Sequence, residues 1–403
     1  MTPTEDLDAA TAGPIGLPRD EDGRPLLYAS HAVVHLDAVA DNLRAIRAHV
    51  APAQVLLAIK ADGYGHGAIP IARLVAELGL AERLGVATLP EGIALREAGI
   101  TLPILKFTPV FAHEAAAAVA HGIDVTVVDE ASFRCVEAAA AAAHHRAAVH
   151  LKVDTGMRRI GCEPSDAPKL AAMIEADGHH VHLEGICTHL PVSDTPEQDA
   201  FTAAQLARFA AVRSAVEAVL GRRLLAHAAN SGGVLAHPSS WLDMVRPGVM
   251  VYGSYPDPAV PRTVPLRPAL SWRSRVAFVK RVATGETVGY GRTWTAPAST
   301  RIATVPVGYG DGYNRRLSNR GRVLIGGRSC PIVGRVCMDQ LMVDVGTGAH
   351  VAVGDPVTLL GRDGAGQITA ADLAAWLETI PYEVTCAIAP RVTRLYDGGP
   401  GEP

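Results

Sequence analysis

Val55-Leu-Leu-Ala-Ile-Lys60-Ala-Asp-Gly-Tyr64-Gly-His-Gly67 is the stretch from which the rest of this chain can be read. Val55 to Ile59 is an apolar run of the length of a buried strand. Lys60 is the first charge after it, and Gly63, Gly65 and Gly67 follow in a glycine-rich turn. A lysine at the mouth of a buried strand is partly desolvated, which lowers its pKa and frees the amine as a nucleophile. Glycines beyond it would let backbone N–H groups approach an anion such as a phosphate. A nucleophilic amine beside a phosphate cradle is what pyridoxal phosphate (PLP) requires. The same residues also fit a plain strand end whose lysine snorkels into solvent.

Outward from this stretch, apolar runs alternate with helical segments. Leu84–Thr88, Pro103–Phe107, Asp124–Val128, Ala148–Val153, Leu183–Cys187, Leu225–Ala229 and Asp243–Arg246 read as further strands. Helices are expected between them, among them the Ala-rich Glu130–His144 and the long Phe201–Leu220. Eight strand–helix units predict a parallel α/β architecture closed into a (β/α)8 barrel of the TIM type. Before it, His31–Asp37 reads as a strand with Asp37 capping the next helix. Prolines at 258, 261, 265 and 268 suggest a linker. Beyond it, short runs at 275–279, 302–307, 322–325, 331–336, 340–345 and 356–360 predict a mostly antiparallel β domain. One helix interrupts them near 370–379, with Thr369 and Asp372 spaced as a capping box. The expected division is a tail over 1–28, the barrel over 29–264 and the β domain over 265–403.

The composition is that of a globular chain, 48% hydrophobic and 19% charged. A net charge of −4 gives no electrostatic case for nucleic acid or a membrane surface. No apolar run is long enough for a membrane helix, and the acidic N-terminus lacks the apolar core of a signal peptide. Six scattered cysteines, without a Cys-x-x-Cys pair, read as free thiols in a reducing cytoplasm; no metal centre is expected.

In β/α barrels, functional groups gather at the C-terminal ends of the strands. Lys60, Lys152, Asp154, Arg159, His189, Asn230, Ser231 and Arg246 all follow expected strands. Any one of them alone also fits a loop residue with a satisfied partner.

The run Ala58-Ile-Lys60-Ala-Asp-Gly-Tyr64-Gly-His-Gly67 resembles the PLP-lysine signature of alanine racemases, and further motifs extend the resemblance over nearly all of the chain after residue 30. The resemblance implies a PLP-dependent racemase that interconverts L- and D-alanine, supplies D-alanine for peptidoglycan, and works as a homodimer with active sites shared across the interface. It implies that Lys60 carries the cofactor, and that Tyr64, Ser231, Gly248 and Val249 hold its phosphate. Arg246 would face the pyridine nitrogen. An arginine cannot take a proton from the ring, so the nitrogen would stay unprotonated and side reactions would be limited. Racemisation needs a proton taken from one face of Cα and returned to the other. Lys60 would serve one face and Tyr290, in Val288-Gly-Tyr290-Gly-Arg-Thr293, the other. A free tyrosine titrates near ~10 and needs a cationic or hydrogen-bonded neighbour to act as a base; His189 and Arg246 match the family's link from Tyr290 to the ring. Arg159 and the backbone N–H of Met338 would bind the substrate carboxylate, with Asp339 orienting neighbours and Tyr309 lining the way in. Lys152 matches a lysine that some members carry as a carbamate, which would pair with Arg159 where a plain lysine would repel it.

Two departures stand out. Some members have a tyrosine just before a C-terminal Arg-Val-Pro-Arg; here the run is Pro390-Arg-Val-Thr-Arg394, which leaves one hydroxyl of the phosphate site or gate without a source. After His189, Leu-Pro-Val-Ser-Asp194 replaces the more usual Phe-Ala-x-Ala-Asp. A racemase of serine or of a basic amino acid, and a non-catalytic PLP-binding protein, are the competing readings. The β domain with Tyr290 and Met338 argues against the last, because such carriers resemble the barrel alone. A related barrel decarboxylase would want a Gly-rich triplet loop and a cysteine acid, a pair not found here.

Overall fold

The computed structural model describes residues 26–348 and 350–399; most of the expected tail lies outside the described residues. After β1 (His31–His35) and a helix, Leu36–Val50, come eight strands. They are β2 (Gln54–Ala58), β3 (Arg83–Val86), β4 (Ile104–Lys106), β5 (Ile123–Val127), β6 (Ala147–Lys152), β7 (Val181–Cys187), β8 (Leu225–His227) and β9 (Met244–Val245). Each pairs in parallel with the next, and β9 returns to β2 through Gln54↔Met244 and Val55↔Val245, so the sheet closes. These are the eight strands marked out by the apolar runs. Their residues are buried on both faces, as Val55–Ala58 are, which is why the runs are continuous rather than alternating. The helices between them bury one stripe each. Glu130–Ala142 turns in Phe133, Val136 and Ala140, and the Asp129 carboxylate caps it by accepting from the Ser132 N–H at 2.7 Å. Part of the barrel interior is filled by Leu56, Leu105 and Met244, packed with Phe107 and Leu225. Trimming Leu56 to alanine there would cost about 2–5 kcal/mol.

The strands after the barrel are β10 (Leu270–Arg275), β11 (Phe278–Val282), β12 (Thr287–Val288), β13 (Trp294–Thr295), β14 (Thr300–Val305), β15 (Arg322–Ile325), β16 (Arg328–Pro331), β17 (Leu341–Asp344), β18 (Pro356–Asp363), β19 (Gly366–Ile368) and β20 (Thr393–Asp397). The main sheet runs β16-β15-β18-β10-β1-β20, with β19 paired to β18; only β1 and β20 pair in parallel. A three-stranded sheet, β11-β14-β17, and the β12–β13 hairpin sit apart from it.

The structure corrects several expectations. β1, grouped by sequence with the barrel, lies between β10 and β20 in the terminal sheet. Its burial alternates, Ala32 and Val34 inward and the histidines half-exposed, the signature of a sheet with one covered face rather than of a barrel strand. Asp37 does not cap the following helix but lies inside its first turn, where its carboxylate accepts from Arg267 Nη2 at 2.7 Å. The expected strand at 275–279 is the junction of β10 and β11, and the one at 331–336 overlaps β16 only at Pro331. The capping box is present: the Asp372 N–H donates to Thr369 Oγ1 at 3.1 Å and the Thr369 N–H to the Asp372 carboxylate at 2.8 Å. Among the described residues, no helix is long and apolar enough to cross a membrane.

Candidate active site

Two residues after β2, Lys60 opens a left-handed turn in which φ is +53° at Ala61, +51° at Asp62, +61° at Gly63 and +56° at Tyr64. A non-glycine residue in this region costs roughly 1–2 kcal/mol, so the turn has to be held. Glu91 holds it. Its carboxylate accepts from the N–H groups of Ala61 at 2.7 Å, Ala87 at 2.8 Å and Thr88 at 2.9 Å. The N–H groups of Gly63, Gly65 and Gly67 donate to the carbonyls of Ile59, Ala61 and Asp62. They close the turn on itself and do not face an anion, contrary to the sequence reading. Gly65 and Gly67 instead allow close packing: a Cβ on the first would collide with the Thr385 carbonyl, and on the second with the Tyr396 hydroxyl. The C-terminal segment thus lies directly on the lysine turn.

The turn aims Lys60 and Tyr64 into a cavity of about 340 Å³ at the barrel mouth. Lys152, Arg159, His189, Ser231, Arg246 and Gly248 line it too, each just at or beyond the end of its strand. Two lysines and two arginines face this space, and no carboxylate lines it among the described residues. Burial pushes the Lys60 amine down from its ordinary pKa, and Arg159 adds to the effect. Burial does the same to Lys152, with Arg246 and Arg159 pressing in the same direction. His189 is driven well below the usual histidine range by burial and by Arg246. A concave site with this balance receives an anionic ligand.

The Arg246 guanidinium is buried and fixed on four sides. Nη1 donates to His227 Nδ1 at 2.8 Å; Nη2 donates to the carbonyls of Thr188 at 2.8 Å and Ala228 at 3.0 Å, and to His189 Nδ1 at 3.2 Å. Nearby, the Gly248 N–H donates to Ser231 Oγ at 3.0 Å. A Cβ on Gly248 would collide with the Tyr64 hydroxyl, so Tyr64, Ser231 and the backbone at Gly248 share one corner that only glycine leaves open. Val249, the next residue, is buried.

Tyr290, Tyr309 and Met338 do not line this cavity. They lie on the β domain, 72%, 42% and 54% exposed. Tyr290 sits at the tip of the β12–β13 hairpin, whose Gly289 packs near the Arg335 backbone. The Tyr309 N–H donates to the Cys337 carbonyl at 3.0 Å, and the Gly310 N–H to that of Met338 at 2.8 Å. Arg391 clamps the same turn: Nε donates to Asp311 at 2.7 Å, and Nη2 to Asp339 at 2.8 Å and the Met338 carbonyl at 3.4 Å. The structure therefore gathers the sequence candidates into two groups, one at the barrel mouth and one on the β face.

Sequence reasoning missed Tyr382, Cys386 and His227, all of which line the cavity. Tyr382 supplies the phenol that the Pro390 run was expected to lack, its ring 6.0 Å from that of Tyr64. It stands at the start of the short helix Pro381–Cys386, where no periodicity marks it. His227 hides in an apolar strand. Among the described residues, Asp124, His150 and Glu184 have metal-like spacing, but the two carboxylates already pair with Arg83.

A β/α barrel with a half-buried lysine of lowered pKa in a cavity lined by basic side chains, joined to a β domain bearing an exposed tyrosine, defines a class of two-domain lysine-dependent barrel proteins. Residues 34–256 match the family profile "Alanine racemase, N-terminal domain", and residues 269–396 match "Alanine racemase, C-terminal domain". The chain is 48% identical over 370 residues to the alanine racemase of Cutibacterium acnes, covering 92% of this chain and 98% of that one. It is 44% identical over 367 residues to that of Symbiobacterium thermophilum, covering 91% and 97%. The crystal structure of alanine racemase from D-cycloserine-producing Streptomyces lavendulae superposes with a TM-score of 0.87 at 37% identity, covering 93% and 98%. The chain belongs to the alanine racemase family.

Proposed function

We propose that this chain interconverts L-alanine and D-alanine, with pyridoxal phosphate held at the barrel mouth and a second chain completing each site. The cavity lined by two lysines and two arginines, with no carboxylate among the described residues, carries this reading. Its residues fit the cofactor. The corner of Tyr64, Ser231 and Gly248 is open only because position 248 has no Cβ, and together with Val249 it would take the phosphate. When bound, the cofactor would withdraw electrons from Cα and make its proton acidic.

The other roles belong to the chain. Lys60, its amine held toward the neutral form by burial, would anchor the cofactor and, once released, move the proton on one face of Cα. Tyr290 would move it on the opposite face. Arg246, locked by four hydrogen bonds, can donate but not accept, so it offers a ring N–H no acceptor and the ring nitrogen would stay unprotonated; His189 sits against it. Arg159 and the Met338 N–H would hold the substrate carboxylate, Asp339 and Arg391 would fix the Met338 turn, and Tyr309 would line the approach. Lys152, pushed toward the neutral amine, is suited to form a carbamate that pairs with Arg159. The product would supply D-alanine to peptidoglycan. Six free cysteines suit a reducing cytoplasm.

The test is direct. Borohydride reduction of the purified protein should fix a cofactor label on Lys60, and the protein should racemise alanine faster than serine, lysine or arginine. A label on another lysine, or preference for another amino acid, would overturn the reading.

A further inference from the structure

Arg246 stands at one end of a buried line of side chains that runs toward the N-terminal ends of the strands. Its Nη1 can only donate, so His227 Nδ1 accepts, at 2.8 Å. Burial and Arg246 hold His227 far below the usual histidine range, so the ring is neutral and its single proton is on Nε2. That nitrogen lies 2.9 Å from His150 Nδ1. His150 must therefore accept there and keep its own proton on Nε2. Burial, followed by Arg83 and Arg246, pushes His150 down to about 3, so it too is neutral. The direction of the whole chain is fixed by one arginine.

At the far end, His150 Nε2 is buried with no hydrogen-bond partner among the described residues. A ring nitrogen of His150 and oxygens of Asp124 and Glu184 all lie within 4.8 Å of one another, a gap one water can bridge. Arg83 pairs with both carboxylates, its Nη1 3.1 Å from Asp124 and its Nη2 on Glu184. The fold makes room for this arrangement, because a Cβ on Gly185 would collide with the His150 ring. Every donor in the chain thus points from Arg246 down to a carboxylate pair on the barrel floor.

We propose that His150, seated above the Asp124–Glu184 pair, is a positioning residue for Arg246. By accepting from His227 Nε2 it holds that ring, in the tautomer Arg246 selects, against the guanidinium, and so steadies the direction in which the guanidinium faces the cavity, while the floor carboxylates set how strongly the chain is polarised. This rests on the reading that Arg246 faces the cofactor ring. The groups facing Asp124 are Arg83 on β3, Arg96 on the helix Leu89–Glu97, His150 on β6 and Glu184 on β7, with His182 against Glu184 at 3.6 Å. Burial and the Glu184 charge push Asp124 up to about 7, against Arg83 and Arg96. The Asp124 carboxyl, 3.1 Å from Arg83 and beside Glu184, is the floor group whose charge would vary nearest neutrality.

The experiment uses the full chain purified with its cofactor and labelled with 15N-histidine. His227 and His150 should both appear as neutral rings protonated on Nε2. The His150 Nε2 resonance and the cofactor absorption band should move together with a midpoint near pH 7, and both should be flat in Asp124→Asn. His150→Gln keeps an acceptor for His227 and should stay within about threefold of wild-type kcat, whereas His150→Phe should lose about tenfold or more in kcat with KM unchanged. If His150→Phe does not fold, Asp124→Asn and the tautomers decide. A proton on His227 Nδ1, an unchanged pH course in Asp124→Asn, or equal kcat for the Gln and Phe variants would overturn the proposal. So would a flat cofactor band in wild type. Absence of alanine turnover by wild type would instead overturn the functional reading, leaving the tautomers as measured.

Discussion

The barrel mouth and the β face both carry candidate chemistry and are built in opposite ways. At the mouth, Lys60, Tyr64, Arg246 and Gly248 are enclosed, cross-bonded and held by a backbone turn that costs free energy to maintain. On the β face, Tyr290 and Met338 are more than half exposed and face nothing in their own chain's cavity. On the proposed function, the difference means that one chain would preassemble the cofactor half of a site and present a proton-transfer half to another. A head-to-tail pair with a two-fold axis would join each mouth to the other chain's β face, giving two equivalent sites.

The largest effects should come from the two residues proposed to move the proton, one in each half. Lys60→Ala and Tyr290→Phe should each lower alanine racemisation by at least ~10²–10⁴-fold. They should part in their other readouts. The Lys60 variant should lose the covalently held cofactor, whereas the Tyr290 variant should keep its colour and lose only solvent-proton exchange from L-alanine. A Tyr290→Phe chain with near-normal L-to-D turnover would leave the β face without a catalytic part.

Glu91→Gln comes next, and it probes why the mouth is rigid. One amide cannot accept from Ala61, Ala87 and Thr88 as the carboxylate does, so the left-handed turn should loosen. A loss of about 1–3 kcal/mol in unfolding free energy is expected, with weaker cofactor retention. Unchanged melting and retention would mean that the turn holds itself.

Arg391→Gln probes the opposite region. Its loss frees the turn bearing Met338 and Asp339, so KM for alanine should rise about 5–10-fold with kcat little changed. A fall in kcat at constant KM would contradict a carboxylate-binding role for that turn.

The smallest effect concerns the barrel floor. Burial and the Glu184 charge push the Asp124 carboxyl up to about 7 in the folded chain, above the ordinary carboxylate value near ~3.9. Between these values the folded chain binds more protons than the unfolded one. The stability this carboxyl contributes is therefore complete below the lower value and is lost as pH rises through the upper one. Asp124→Asn should remove that part of the decline in unfolding free energy, read by denaturant titration at several pH values between about 5 and 8. An identical slope in both proteins would place the titration elsewhere.

Much of the mouth was legible because its residues sit at the ends of continuous apolar runs, and a closed parallel barrel gives each run the same meaning. Lys60, Lys152, His189 and Arg246 could all be found that way. β1 was misplaced because five residues carry too little signal to outweigh their position in the chain, although the alternation of Ala32 and Val34 with His31 and His35 was there to see. The glycines after Lys60 were read as anion donors. Spacing alone does not tell a donor that faces a ligand from one that closes its own turn. Tyr382 and His227 were missed for a different reason: their roles arise from tertiary approach between segments far apart in sequence, which no local pattern records. The β-face candidates Tyr290 and Met338 came only from resemblance, since a hairpin-tip tyrosine and a loop methionine have ordinary local explanations.

The most direct test of two half-sites is complementation between Lys60→Ala and Tyr290→Phe chains, each inactive alone. Unfolded and refolded together, they should recover up to about one quarter of wild-type activity. Half of the randomly formed pairs are mixed, and each mixed pair holds one site with both lesions and one with neither. No recovery above the sum of the separate variants, in a refolded preparation that is dimeric, would show that each site lies within one chain and would contradict the account.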